Sequence, residues 1–274
     1  MEINSKALES RIGVIRSRAG NLKDKEILRK IFSLIDLTTL DVTDTDARVL
    51  NYVNKVNRLS SRFPDLPNVA AICVYPVFIP LVKANLNARG VSIASVAASF
   101  PSSQSFMDVR LREVERALDE GAGEIDVVIS AGKFLEGNTA YVSEEIRRFK
   151  ELTGERHLKV ILETGVMPSL EHVRSASFLA MEAGADFIKT STGKTETGAT
   201  PEAVYVMCEA IKEYHAASGR AVGIKPSGGI SDATTAIMYY LIVNEILGSE
   251  WLKPSRFRFG ASRLANNLLG EKYF

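Results

Sequence analysis

Gly184-Ala185-Asp186-Phe187-Ile188-Lys189-Thr190-Ser191-Thr192-Gly193-Lys194 decides how this chain folds. A glycine follows the amphipathic stretch Ser169–Ala183, as at the end of a helix. A short apolar run then stops at a lysine. Small and polar residues come next, and Thr200-Pro201-Glu202 opens another amphipathic stretch, with a capping threonine and a proline at the first helical position. This is a helix–strand–helix passage with a charged strand end. Ala221-Val222-Gly223-Ile224-Lys225-Pro226-Ser227-Gly228-Gly229 repeats it. Burying an ammonium at a strand end is costly unless the group is used.

Working outward, short apolar runs recur at Leu34-Ile35, Val69–Val74, Val91–Val96, Glu124–Ile129, Leu158–Leu162, Asp186–Lys189, Ala221–Lys225 and Phe257–Phe259. They have the length and composition of buried parallel strands. Helical periods lie between them: Asp44–Leu59, Met107–Leu118, Val142–Leu152, Ser169–Ala183, Pro201–Tyr214 and Ser231–Leu247. Ser143, followed by Glu144 and Glu145, reads as one helix start, and Ser231-Asp232 as another. Gly90, Gly121 and Gly184 read as helix stops. Eight βα units predict a (β/α)8 TIM barrel spanning 33–274, with an N-terminal helical extension over 1–32. An open doubly wound sheet fits less well, because no Gly-x-Gly-x-x-Gly follows the first strand. Within the extension, Ile27, Leu28, Ile31 and Phe32 predict a helix across the barrel floor. The rest is expected to be loose or to support a subunit contact.

Apolar residues make up 46% of the 274 and charged residues 24%, an ordinary globular mix. The net charge of +1 gives no field to steer the chain to nucleic acid or to a membrane surface. No apolar run reaches the length of a membrane span, and Met1–Gly20 lacks the core of a signal peptide. Two cysteines, Cys73 and Cys208, suit a reducing cytoplasm better than a disulfide framework.

In a barrel, chemistry collects where the strands end. Those ends carry Asp36 with Thr38 and Thr39, Cys73 with Tyr75, Ser99, Asp126, Glu163 with Thr164, Lys189 with Thr190, Lys225, and Gly260 with Ser262. His157, His172 and His215 fall elsewhere, which argues against a histidine metal site or a serine–histidine pair. Two neighbouring lysines suggest Schiff-base chemistry, since a second cation lowers the pKa of the first. Asp126 on an apolar strand reads as functional, and Lys159 as a supporting charge. Asp36 reads mainly as a hydrogen-bond holder of the first strand end, and Glu163 as a group that could orient a lysine. Cys73 reads as a small core residue near the mouth.

Ile35-Asp36-Leu37-Thr38-Thr39-Leu40, Ala70–Pro76, Glu124–Val128, Leu162–Gly165, the two lysine segments and Phe259-Gly260-Ala261-Ser262 together resemble the deoxyribose-phosphate aldolases, from about Leu34 to Leu269. The resemblance implies a class I aldolase that needs no metal or cofactor. It would cleave 2-deoxy-D-ribose 5-phosphate reversibly to D-glyceraldehyde 3-phosphate and acetaldehyde. By the same resemblance Lys189 is the Schiff-base lysine, Lys225 the neighbour that lowers its pKa, and Asp126 the acid/base. Asp36, Thr190, Gly193, Lys194, Gly228, Gly229 and Ser262 are the expected substrate and phosphate contacts, with Cys73, Glu163 and Tyr273 as supporting candidates. The expected partners are small aldehydes and sugar phosphates, and a homodimer is the candidate assembly, which the residues themselves do not decide. Two departures bear on the phosphate: Ser231 stands where some relatives carry an arginine, and Arg263 where some carry a second serine. Ser231 is therefore expected to weaken phosphate binding. The competing readings are a Schiff-base aldolase or transaldolase acting on a ketose phosphate, and an inactive phosphosugar-binding barrel.

Overall fold

The computed structural model describes residues 3–22 and 24–274. Eight parallel strands form one sheet: β1 Ile35–Thr38, β2 Ala71–Val74, β3 Ser92–Val96, β4 Glu124–Val128, β5 His157–Ile161, β6 Phe187–Lys189, β7 Gly223–Lys225 and β8 Phe259–Ala261. The order β7-β6-β5-β4-β3-β2-β1-β8 wraps the last strand back onto the first. Bridges from Ile224 to Phe257 and from Ser227 to Gly260 close the seam between β7 and β8. This is a TIM barrel.

Among the described residues, twelve α-helices accompany the strands. α1 Ser5–Asn21 and α2 Lys25–Ser33 precede β1, and α3 Asp46–Asn57 and α4 Leu59–Arg62 follow it. The others are α5 Ile79–Asn85, α6 Met107–Glu120, α7 Ala131–Leu135, α8 Thr139–Thr153, α9 Leu170–Glu182, α10 Pro201–Ser218, α11 Ala233–Leu247 and α12 Arg263–Leu269. Among the described residues no helix is long and apolar enough to cross a membrane.

Strand side chains alternate between two environments. Ile35, Leu37, Ile72, Val74, Ile125, Val127, Leu158, Val160, Ile188 and Ile224 point outward into the main apolar layer between sheet and helices. The alternate positions point inward, and in β1, β4, β5, β6, β7 and the residue before β8 they include charged side chains. Burying polar groups there is tolerable only because they pair with one another.

Several expectations are corrected here. The last strand pairs with β1 over Phe259–Ala261 instead of Phe257–Phe259, because Phe257 is drawn to Ile224 on the other side of the seam. α8 begins at Thr139, capped by the Asn138 side chain, so Ser143 lies inside the helix. Gly90 lies in the turn before β3, since α5 already ends at Asn85. Residues 5–21 are not loose: Leu8, Ile12, Ile15 and Ala19 form a stripe at helical spacing, buried where α1 packs on α10 and α11. That stripe is only four residues wide among charges, so it gives a weak sequence signal. α2 packs mainly against α11 and α12.

Candidate active site

Each β6 and β7 strand ends at its lysine, and register pairs Lys189 with Lys225 side by side. Two strands away, Asp126 is the third residue of β4 and is paired with Lys159 of β5. Alternation turns all four side chains into the barrel. Asp126 Oδ2 lies 2.8 Å from Lys189 Nζ and 2.7 Å from Lys225 Nζ, and its other oxygen lies 3.0 Å from Lys159 Nζ.

A second tier lies beneath. Asp36 of β1 faces Lys225 at 2.5 Å, Lys159 at 3.4 Å and the Arg258 guanidinium. Arg258 grips Glu124 with two nitrogens, at 2.8 and 3.1 Å, while Lys159 reaches the same carboxylate at 2.5 Å. His157 Nδ1 stands 3.5 Å from Glu124 at the edge of this tier. Apart from His157, every member is buried.

The pairing is unequal, and that decides the chemistry. Lys159 meets three carboxylates, Lys225 two and Lys189 one. Burial disfavours every ammonium here. For Lys225 and Lys159 the carboxylates outweigh it and hold both lysines above the ordinary value. For Lys189 burial, helped by the charge of Lys225, wins over its single partner Asp126, and its pKa is lowered. Burial would also raise Asp126, but Lys159, Lys189 and Lys225 overcome it and hold that carboxyl well below the usual range. The same contest leaves Asp36 at about 2: burial opposes ionisation, and Arg258, Lys159 and Lys225 enforce it. The site therefore presents an amine inclined to lose its proton against a carboxylate that is ionised at rest.

Above Lys189 opens a cavity of about 510 Å³, lined by Thr38–Val42, Arg48, Thr192, Gly193, Lys194, Ser227–Ile230 and Gly260–Arg263. Close backbone approach builds its far wall. A Cβ on Gly228, which has φ +82°, would sit 2.7 Å from Ser191 Oγ and 2.9 Å from Gly198 Cα. A Cβ on Gly260 would stand 3.2 Å from Lys225 Cε and 2.6 Å from Ser227 Cβ, so the bare backbone there leaves room for the lysine stem.

The structure gathers Lys189, Gly193, Lys194, Gly228, Gly229 and Ser262 around this one cavity, with Asp126, Lys225 and Asp36 beneath it. The other sequence candidates are placed differently. Thr190 is wholly buried; its hydroxyl donates to the Ser227 carbonyl and accepts from the Ser227 N–H. Glu163 pairs with no lysine among the described residues; at φ +54° it accepts bonds from Thr192 and Thr195 and so braces the loop after β6. Cys73 packs among Leu40, Ala71, Ala94 and Val96, and burial pushes its thiol pKa up. The Tyr273 hydroxyl donates to the Lys55 carbonyl on α3, and the ring packs on Phe63, so it does not line the mouth. Ser231 is also outside the lining, whereas Arg263 and Arg48 are in it.

Sequence reading missed Glu124, Arg258, Arg48 and Arg110. Arg258 had a signal, a charge set between two phenylalanines in a strand, and so had Glu124 at the opening of β4. Arg110 had none, because it is one of several arginines on α6. It reaches Ser103, the Val128 carbonyl and Glu145, and ties the loop after β3 to the end of β4.

Residues 30–238 match the model of the DeoC/LacD family of aldolases. The human deoxyribose-phosphate aldolase is 38% identical over 285 residues, covering 100% of this chain and 90% of that one. The mouse deoxyribose-phosphate aldolase is 39% identical with the same coverage. Among solved structures, the tetrameric deoxyribose phosphate aldolase from Aeropyrum pernix superimposes with a TM-score of 0.68 at 26% identity, over 93% of this chain and 95% of that one.

Proposed function

The chain belongs to the DeoC/LacD aldolase family, and from that premise we propose how its residues divide the work of a class I deoxyribose-phosphate aldolase. The reaction is the reversible cleavage of 2-deoxy-D-ribose 5-phosphate to D-glyceraldehyde 3-phosphate and acetaldehyde. The observation that carries the assignment is the unequal pairing of the buried lysines, which leaves Lys189 the one most ready to lose its proton.

The Lys189 amine adds to the C1 aldehyde carbon of the open-chain sugar, and loss of water from the carbinolamine gives an iminium. A base removes the C3 hydroxyl proton, the C2–C3 bond breaks, and its electron pair flows into the iminium to leave an enamine. Glyceraldehyde 3-phosphate departs. Protonation of the enamine at C2 and hydrolysis of the resulting iminium release acetaldehyde and restore the amine. Asp126, within 2.8 Å of Lys189, is the group we assign to these proton transfers, acting with a water molecule. Lys225 keeps its proton and biases Lys189 toward the free amine.

For the phosphate we propose the cationic side of the cavity. The backbone of Gly193, Gly228 and Gly229 can approach the ester oxygens, with Ser262, Lys194 and Arg263 around them. Arg263 then replaces the charge absent at Ser231. Arg263→Ala should raise KM for the phosphate ester roughly 10- to 100-fold, the worth of one charge-assisted hydrogen bond. It should leave kinetics on unphosphorylated deoxyribose unchanged, and steady-state assays on the two sugars check this. The free, buried thiols of Cys73 and Cys208 suit a cytoplasmic setting, and a homodimer completes the proposal on family grounds.

The deciding experiment is incubation with deoxyribose 5-phosphate and borohydride, followed by peptide mapping. The expected result is a reduced two-carbon or sugar-phosphate adduct on Lys189. An adduct on Lys225 or Lys159 would keep the reaction and overturn the assignment. With no adduct and unconsumed substrate, a panel of ketose phosphates would be tried next.

A further inference from the structure

Four buried cations, Lys159, Lys189, Lys225 and Arg258, share the barrel interior with three buried carboxylates, Asp36, Glu124 and Asp126. Fully ionised, the cluster holds one positive charge in excess, away from water. Such an excess is relieved most cheaply by the cation with the fewest partners. Lys189 has one carboxylate; the guanidinium cannot release its proton.

We propose that Arg258, on the tier below the nucleophile, is a positioning residue whose fixed charge drives the proton off Lys189. It acts in two ways of the same sign. It adds the charge that puts the cluster in excess. It also occupies Asp36 and Glu124, which would otherwise be freer to hold Lys225 and Lys159 and so to leave more of Asp126 to Lys189. The site around Arg258 is built for a permanent cation. Glu124 takes its fork with two bonds, Asp36 takes one nitrogen, the Pro254 carbonyl accepts from Nε, and the Phe187 ring lies 5.8 Å away. The groups facing Lys189 itself are Asp126 from β4, Lys225 from β7 and Cys73 from β2. His157 faces Glu124 from β5, is partly exposed and is charged only when protonated.

This inference rests on Lys189 as the nucleophile. The test is the pH profile of kcat/KM together with the pH dependence of cyanoborohydride-trapped adduct formation with acetaldehyde. Both are measured in a His157→Gln background so that His157 does not contribute a limb. Arg258→Gln should move the acid limb upward by on the order of one pH unit, with roughly tenfold less adduct at neutral pH and recovery in alkali. Glu124→Gln, which deepens the excess, should move the limb downward. Arg258→Lys, which keeps the charge without the fork, should leave it near its original place. Carrying both neutral substitutions should return it toward the start.

A general loss of rate at every pH with the limb unmoved would mean that Arg258 only supports the fold, and would overturn the proposal. Should Arg258→Gln fail to fold, Glu124→Gln and Arg258→Lys decide: a downward shift in the first and none in the second support it, and any other pattern overturns it. Peptide mapping separates this from the assignment beneath it. An adduct on another lysine removes both readings, whereas an adduct on Lys189 with an unmoved limb removes this one alone.

Discussion

Lys189→Met should lose activity by on the order of 10⁴-fold or more, the scale on which a covalent nucleophile matters, while the protein stays as stable as before or gains stability. The first half follows from the chemistry, because without a primary amine there is no iminium to accept the electron pair of the broken bond. The second half follows from the surrounding charges. Most buried ion pairs are costly to break because they leave a partner stranded. Here the partner of Lys189 is Asp126, and it keeps Lys159 at 3.0 Å and Lys225 at 2.7 Å. Methionine fills a similar volume, and the cluster then contains as many cations as carboxylates. Thermal melting and steady-state kinetics on the same preparation check both halves. Residual activity within a hundredfold of the parent would point to another lysine as nucleophile. A large fall in Tm would mean that Lys189 is needed for packing, against the pairing argument.

Asp126→Asn should behave in the opposite manner, losing activity and stability together. Turnover should fall by about 10²- to 10⁴-fold, the usual contribution of a positioned acid/base. Three ammonium groups converge on this one carboxylate, so its removal should cost about 3–5 kcal/mol of stability, the penalty for uncompensated buried charge. Denaturant melts measure it. Lys189 loses its single carboxylate in this variant, so its amine is freer, not more protonated. Borohydride should therefore still trap an adduct on Lys189, although retro-aldol turnover has collapsed. If adduct formation vanished while turnover fell only slightly, Asp126 would be a support for the amine and not the proton carrier.

The barrel was legible from its strands, because eight apolar runs alternating with helical periods admit few architectures. Lys189, Lys225 and Asp126 were legible for a related reason: each is a charge where the apolar pattern has no other use for one. Glu124 and Arg258 obey the same rule but lie deeper in the strand direction, below the mouth on which attention to strand ends concentrates. Their partners become evident only once the sheet closes and side chains from β4, β1 and the residue before β8 meet across the barrel interior. The roles of Glu163 and Thr190 were hidden differently. Both sit at the mouth in sequence, but a left-handed backbone at Glu163 turns its carboxylate to the Thr192 loop, and the Thr190 hydroxyl is consumed by Ser227. Local pattern does not encode which neighbour satisfies a polar group. Tyr273 is a similar case, since its hydroxyl reaches a backbone carbonyl 218 positions away.

α11 is apolar on nearly all sides, and α1 and α2 lie against it. α1 thus belongs on a surface that is synthesised more than two hundred residues later, and one edge of β1 likewise waits for β8. Folding from the N-terminus forward can pair β1 with β2 and β2 with β3, but it can neither cover α1 nor close the barrel until the last elements emerge. The nascent chain must carry the unsatisfied stripe of Leu8, Ile12, Ile15 and Ala19 through nearly the whole of translation, so its exposure to holdase chaperones is set by the topology and not by the speed of any local step.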